Sequence, residues 1–259
     1  MSGFSALKMA ARRSTHGLLC LILRIRSRRM SIAAGPARLV LAPHQDDETL
    51  GCGGMIALAA AAGPAPQVVF ITDGSASHRR HPRYTSADLI AQRAAEAGEA
   101  LAILGVPRAQ IHMLGAPDGR LRELAGAERA ELVRRLADVI AVAAPAEIYL
   151  PCRRDGSSEH EAAFDITKTA LHLAAPTARV LEYPIWSWWS PRLQFRLLTA
   201  PARVWRLAVN AVQARKKQAV QTYRSQLEPL PPLPQPALPP GYADFFLGGV
   251  EYYFEAKMK

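Results

Sequence analysis

Cysteine is scarce in this chain. Cys20, Cys52 and Cys152 are the three among 259 residues, and they form no CxxC and no close pair. An odd, sparse set leaves no disulfide framework to build on and fits a reducing, cytoplasmic compartment. Bilayer-length hydrophobic runs are missing too. The leader's apolar stretch Gly17-Leu18-Leu19-Cys20-Leu21-Ile22-Leu23 is too short to cross a membrane, and Arg24 and Arg26 directly behind it do not suit a signal peptide. Acidic residues are absent from positions 1–31, which carry Lys8, Arg12, Arg13, Arg24, Arg26, Arg28 and Arg29. The net charge is +10, but without these seven the remaining 25 basic residues face 22 acidic ones, about +3. The basic excess therefore belongs to the leader, and no nucleic-acid partner is expected. Residues 1–31 read as a basic extension: either disordered, with Met30 as an alternative start, or amphipathic and in weak contact with an anionic membrane surface. No internal repeat is visible.

The rest of the chain has ordinary hydrophobic and charged content and is long enough for one substantial core. Short continuous apolar runs at Arg38–Ala42, Gln67–Ile71, Ile111–Leu114, Glu147–Leu150 and Arg179–Tyr183 read as buried strands. They alternate with helical stretches at 55–62, 86–104, 127–143 and about 160–173. This alternation of five strands with helices implies an α/β, Rossmann-like fold, with a mostly parallel sheet covered by helices on both faces. His112 lies within a strand and is expected to pack. Residues 203–224 read as a basic helix able to meet phosphates, 229–240 as a polyproline-type connection, and 241–259 as a tail packing on the body. The domain reading is 1–31 extension, 32–227 α/β domain, 228–259 linker and tail.

Chemistry concentrates after the first strand, at Pro43-His44-Gln45-Asp46-Asp47-Glu48, which runs into Thr49-Leu50-Gly51-Cys52-Gly53-Gly54. In open α/β sheets the crevice beyond a strand's C-terminal end is where ligands bind. His44 and Asp47, three residues apart on a tight loop, can turn toward one point, and zinc takes both ligand types. With Asp47 on a metal, Asp46 is free to accept a proton from water. Adjacent acids also suit a helix N-terminus, but capping needs one acid and explains neither the histidine nor three acids in a row.

At these residues the chain resembles the PIG-L/LmbE-like zinc deacetylases, whose signature is His-Pro-Asp-Asp-Glu before a glycine-rich turn. Gln45 stands where proline is usual. The resemblance covers roughly residues 36–227 and implies that Zn2+, or another divalent metal, is held by His44, Asp47 and His160. His160 matches the second histidine of the family's His-x-x-His and opens a helix after a second strand, on the same sheet edge as His44. Two imidazoles, one carboxylate and an open fourth position make a catalytic zinc arrangement. The resemblance further implies Asp46 as catalytic base, with Arg93 and Asp118 as substrate contacts. Arg93 could instead be an exposed arginine paired with Glu96. Where the family's first histidine stands, this chain has Ser157, which cannot be a cation at neutral pH. Asp46 could then serve as both base and acid, or His78 or His81 of the 75–83 loop (a candidate lid) could substitute. Trp186, Trp188 and Trp189 could stack on sugar or seal the core's edge. The implied activity is metal-dependent removal of the N-acetyl group from an N-acetylglucosamine-type conjugate, a small-molecule substrate. The alternative is a sugar or nucleotide-sugar binding protein that kept the pocket and lost turnover.

Overall fold

In the computed structural model, which describes residues 3–79, 81–174, 177–199, 202–256 and 258, sixteen principal elements follow one another. They are α1 (Gly3–Arg26), β1 (Arg28–Met30), β2 (Arg38–Ala42), α2 (Asp47–Ala62), β3 (Gln67–Thr72), α3 (Ser86–Leu104), β4 (Ile111–Ala116), α4 (Gly126–Ala143), β5 (Glu147–Pro151), α5 (Ser158–Ala174), β6 (Arg179–Tyr183), α6 (Pro191–Leu198), β7 (Arg203–Ala208), α7 (Gln213–Val220), α8 (Arg224–Leu227) and β8 (Val250–Glu255). The strands form one sheet in the order β1-β7-β8-β6-β5-β2-β3-β4, parallel except where β8 runs against β6 and β7. The fold is mixed α/β with a mostly parallel sheet.

Side-chain alternation along the strands builds two cores. Leu39 and Leu41 of β2, with Val69 and Ile71 of β3, pack against α4 and α5. Val40, Ala42, Val68 and Phe70 point the other way, toward α2 and α3. With both faces covered, the central strands are apolar throughout, which is why they stand out in sequence. The chain leaves β2 for β3 on one side and returns with β5 on the other. Between β2 and β5 the winding direction reverses, and this is the crevice where such sheets bind ligands.

Two stretches differ from the sequence reading. The basic helix expected over 203–224 is strand β7 followed by the short helix α7, because Val204 and Leu207, three apart and both buried, mimic helical spacing. The 241–255 stretch contributes an interior strand, β8, with Tyr253 opposite Trp205 and Leu181 opposite Glu255. The leader, read as either disordered or amphipathic, is the helix α1, whose Leu19 and Leu23 are buried, while Arg12 stacks over Trp189 at 4.1 Å. Residues 1 and 2 of the leader, and 257 and 259 of the tail, lie outside those described.

Tight packing fixes α2 against the sheet. A Cβ on Gly51 would lie 2.1 Å from the Tyr183 ring, whose hydroxyl donates to Leu41 O at 2.8 Å. Gly51→Ala is expected to cost about 2 kcal/mol or more, since neither ring nor strand can retreat. Denaturant unfolding reads this, and an unchanged midpoint would contradict the contact.

The α1 seam is sensitive to pH. His16 meets Trp188 and Phe245 edge-on, at centroid distances of 5.2 and 4.9 Å, and burial pushes its pKa down to about 4. The unfolded chain, with an ordinary histidine near 6.5, takes the proton first. The group's contribution to stability is therefore full above about 6.5 and is lost as pH falls toward about 4. Thermal melts at pH 7 and 5 should show a smaller drop for His16→Phe than for the parent protein.

Candidate metal centre

The first motif leaves β2 at Pro43 and enters α2 at Asp47, so its side chains crowd a single turn. Asp46 occupies the helix N-cap position without making a capping bond, and its φ is +153°, a value non-glycine residues rarely adopt. Asp47 reaches back, its Oδ2 accepting from His44 N at 3.2 Å and lying 3.1 Å from His44 Nδ1. Capping alone does not account for these acids. Glu48, fully buried, accepts from Thr49 and from the Tyr223 hydroxyl, and burial pushes its pKa up to about 7.

The second motif arrives from β5. Ser157 Oγ accepts from His160 N at 3.4 Å, so this residue caps α5 and lets His160 point into the crevice from the first turn. Its Nε2 lies 3.5 Å from Asp47 Oδ2, and the His44 and His160 ring centroids are 5.9 Å apart. Donor atoms of His44, Asp47 and His160 all fall within 4.8 Å of one another. His160 Nε2 is buried and makes no hydrogen bond. An orphaned imidazole nitrogen facing a carboxylate and a second imidazole is the donor set that zinc takes, so these residues fit a metal ion. Another grouping of comparable spacing, His44 with Asp118 and Glu159, fits less well. Both Glu159 oxygens already accept, from Gly119 N and Leu121 N, and Asp118 Oδ2 accepts from Ala76 N.

Outer partners hold the two imidazoles. Asp118 Oδ1 lies 3.3 Å from His44 Nε2, and Asp155 Oδ2 lies 3.0 Å from His160 Nδ1. Burial alone would lower both histidines, but the bonds to Asp118 and Asp47 push His44 up to about 10, and the charges of Asp47 and Asp155 push His160 up to about 9. Burial would raise Asp47, yet the two imidazoles hold it well below the carboxylate range. Asp46 is pushed up by burial to about 7, against the pull of Arg93. A divalent cation beside it would draw it back down.

Arg93 is buried, so the exposed pair with Glu96 does not form. Its Nη2 donates to Gln45 O at 2.8 Å and to Asp46 Oδ1 at 3.4 Å, while Glu96 accepts from Ser225 N and Oγ instead. Both Arg93 and Asp118 line a cavity of about 210 Å³ with His44, Asp46 and Asp47. Ala76 and Ser77 of the expected lid loop also line it, but His81 is bound to Leu230 O at 3.0 Å, and His78 is not among the lining residues. Trp186 faces the cavity, whereas Trp188 and Trp189 pack at the seam with α1 and the tail. Neither buried thiol, Cys52 nor Cys152, joins a ligand grouping among the described residues.

Sequence reasoning gave no role to Asp155, Gln226, Leu238 or Tyr242. Asp155 is fully buried and takes donors from Ile185 N, Trp186 N, Ser187 N and Ser187 Oγ besides His160. Its place five residues before His160 was the available signal. Asp155→Ala should weaken zinc binding about 10–100-fold, the usual effect of losing a ligand's outer partner. Chelator competition measures this, and unchanged affinity would remove Asp155 from the metal's support. Leu238, near the end of the proline-rich run, and Tyr242, just beyond it, come to the cavity from a stretch where no local pattern announces them.

The sheet order, with the two motifs meeting at its switch point, is that of the LmbE-like α/β fold. The chain belongs to the PIG-L family, described as GlcNAc-PI de-N-acetylase, whose model matches residues 39–171. Among the solved structures that share the fold are the following three. N,N'-diacetylchitobiose deacetylase from Pyrococcus horikoshii is 19% identical over 74% of this chain and 71% of its own, with a TM-score of 0.59. The A40926 pseudoaglycone deacetylase Dbv21 is 20% identical, covering 85% and 96%, with a TM-score of 0.61. GalB, the 4-carboxy-2-hydroxymuconate hydratase from Pseudomonas putida KT2440, is 22% identical, covering 74% and 80%, with a TM-score of 0.59. No curated protein matches the chain.

Proposed function

We propose that the protein is a metal-dependent hydrolase that removes the acetyl group from an N-acetylglucosamine-type sugar conjugate. The observation that carries the reading is the unpartnered, buried His160 Nε2 facing His44 and Asp47. These three residues would hold Zn2+ or another divalent ion. Such an ion, when bound, polarises a carbonyl oxygen and lowers the pKa of water beside it.

The chain's own groups supply the rest. Asp46 Oδ1, steadied by Arg93 Nη2, accepts the proton of the attacking water. As the C–N bond breaks, acetate departs and the same carboxyl returns the proton to the amine, because the Ser157 hydroxyl, which caps α5, is too weak an acid to do so. Asp118 and Asp155 keep the two imidazoles in place. Asp118 and Arg93, both on the cavity wall, are the candidate sugar contacts. The unpaired buried thiols Cys52 and Cys152 suit a reducing, cytoplasmic setting.

Screening acetylated sugar conjugates with the zinc-loaded protein, and following both acetate and free amine, tests the reading. Equimolar release supports it. The replacement of the family histidine by Ser157, and a hydratase on the same fold, favour as second reading a binding protein or different chemistry. Saturable binding of the conjugates without acetate release would select the binding protein.

A further inference from the structure

We propose that the outer face of α1 docks the protein onto an anionic phospholipid surface. The argument is independent of the catalytic reading. α1 carries two apolar lines on opposite sides. One, formed by Met9, His16, Leu19 and Leu23, packs on the body, with Leu19 2% and Leu23 1% exposed. The other is formed by Leu7, Ala11, Leu18, Leu21 and Ile25, with Ser14 its one polar position, at alternating steps of four and three residues, the spacing of a single stripe along a helix. Nothing covers it among the described residues. Leu7 is 70% exposed, Leu18 59%, Leu21 56% and Ile25 77%. From Leu7 to Ile25 the stripe runs about 27 Å at a rise of about 1.5 Å per residue.

The charge beside the stripe identifies the occupant. Helical geometry sets Lys8 and Arg26 on one side of it and Arg13 and Arg24 on the other, and no acid occurs in the first 31 residues. Arg13 pairs with Asp244 at 3.2 Å. Phe195, 68% exposed, extends the surface on α6, which is tied to α1 by the Arg26 Nη1 bond to Leu198 O, and Arg192 and Arg196 lie near it in sequence. Arg24 also lines a cavity of about 470 Å³ with Arg29 and Arg206, and no carboxylate lines it. An exposed leucine line between basic flanks is the pattern of a helix lying in the headgroup plane, with apolar side chains at the acyl boundary and cations at lipid phosphates. A second copy is a poor occupant, because pairing the stripes would bring like charges together. Among the described residues no helix is long and apolar enough to cross a membrane, so α1 would lie on the surface.

Co-sedimentation of the full chain with vesicles tests this, using phosphatidylcholine alone against phosphatidylcholine with 30% phosphatidylglycerol (a fraction of about one lipid in three). The expected result is at least about tenfold stronger binding to the anionic vesicles, weakening as salt is raised. Leu18→Asp/Leu21→Asp/Ile25→Asp should reduce binding about 100-fold or more with the thermal midpoint unchanged. Lys8→Gln and Arg24→Gln should each weaken it about fivefold, and they keep the test open if the triple variant folds poorly. Absent binding, equal binding to both vesicle types, or charge variants that bind like the parent would overturn the proposal. So would a dimer in light scattering that the triple variant dissociates.

Discussion

Asp47→Ala is expected to leave the purified protein without stoichiometric zinc and without hydrolytic activity. Asp47 Oδ2 is the one atom that both imidazoles approach, at 3.1 Å from His44 Nδ1 and 3.5 Å from His160 Nε2. Removing it takes away one of the three proposed ligands and the only formal negative charge among them. Two neutral imidazoles would then have to hold a dication in a buried site, where an uncompensated charge is expensive. The loss of affinity should exceed the roughly 10–100-fold typical of an outer partner, reaching on the order of 10³-fold. The fold should survive, because Asp118 still holds His44 and Asp155 still holds His160. Elemental analysis of both proteins after identical purification, with near-ultraviolet dichroism as the folding control, is the measurement. Equal zinc in parent and variant would end the ligand assignment.

How much of this was legible in the chain depended on whether the controlling contacts were local. Four of the five strands that could be read, β2, β3, β5 and β6, are interior, and burial on both faces makes them largely apolar, as in Leu39-Val40-Leu41; β4, the fifth, lies at the sheet's edge with Met113 exposed. β7 could not be read. Its buried Val204 and Leu207 take helical spacing only because Trp205 and Arg206 between them are half-exposed near the sheet's edge. β8 owes its place to pairing with strands more than 40 residues earlier, across the proline-rich run, and nothing within Val250–Glu255 announces an interior strand. At the site, one turn carries His44, Asp46 and Asp47, so that motif was visible as a unit. The junction with His160 needed the sheet, where β5 pairs with β2 and carries α5 to the same crevice. Arg93 shows the limit of local reasoning. Glu96, three residues on, was the obvious partner, but tertiary packing gives Glu96 to Ser225 and turns the guanidinium toward Gln45 and Asp46. The leader's two readings, disordered or amphipathic, could not be told apart locally, because the residues that anchor its helix, Leu19 and Leu23, meet partners in the tail and the aromatic turn.

Asp46→Asn separates an enzyme from a binding protein most directly. The substitution keeps the shape of the side chain and its hydrogen bond to Arg93, and it touches none of the three atoms proposed to hold the metal. What it removes is the capacity to take a proton. Positioned proton transfer contributes typically about 10²–10⁴-fold, and here the same carboxyl is asked both to receive and to return the proton, so the upper end of that range is expected for turnover. Zinc content and conjugate affinity should be unchanged, because neither depends on Asp46 as a base. The loss should therefore fall on kcat, with KM little altered where substrate release is fast relative to chemistry. A variant that released acetate as quickly as its parent would remove Asp46 from the reaction and turn attention to the loop histidines. A variant that lost zinc along with activity would make Asp46 part of the metal's support, and its strained backbone at φ +153° would then serve ligand geometry rather than proton transfer.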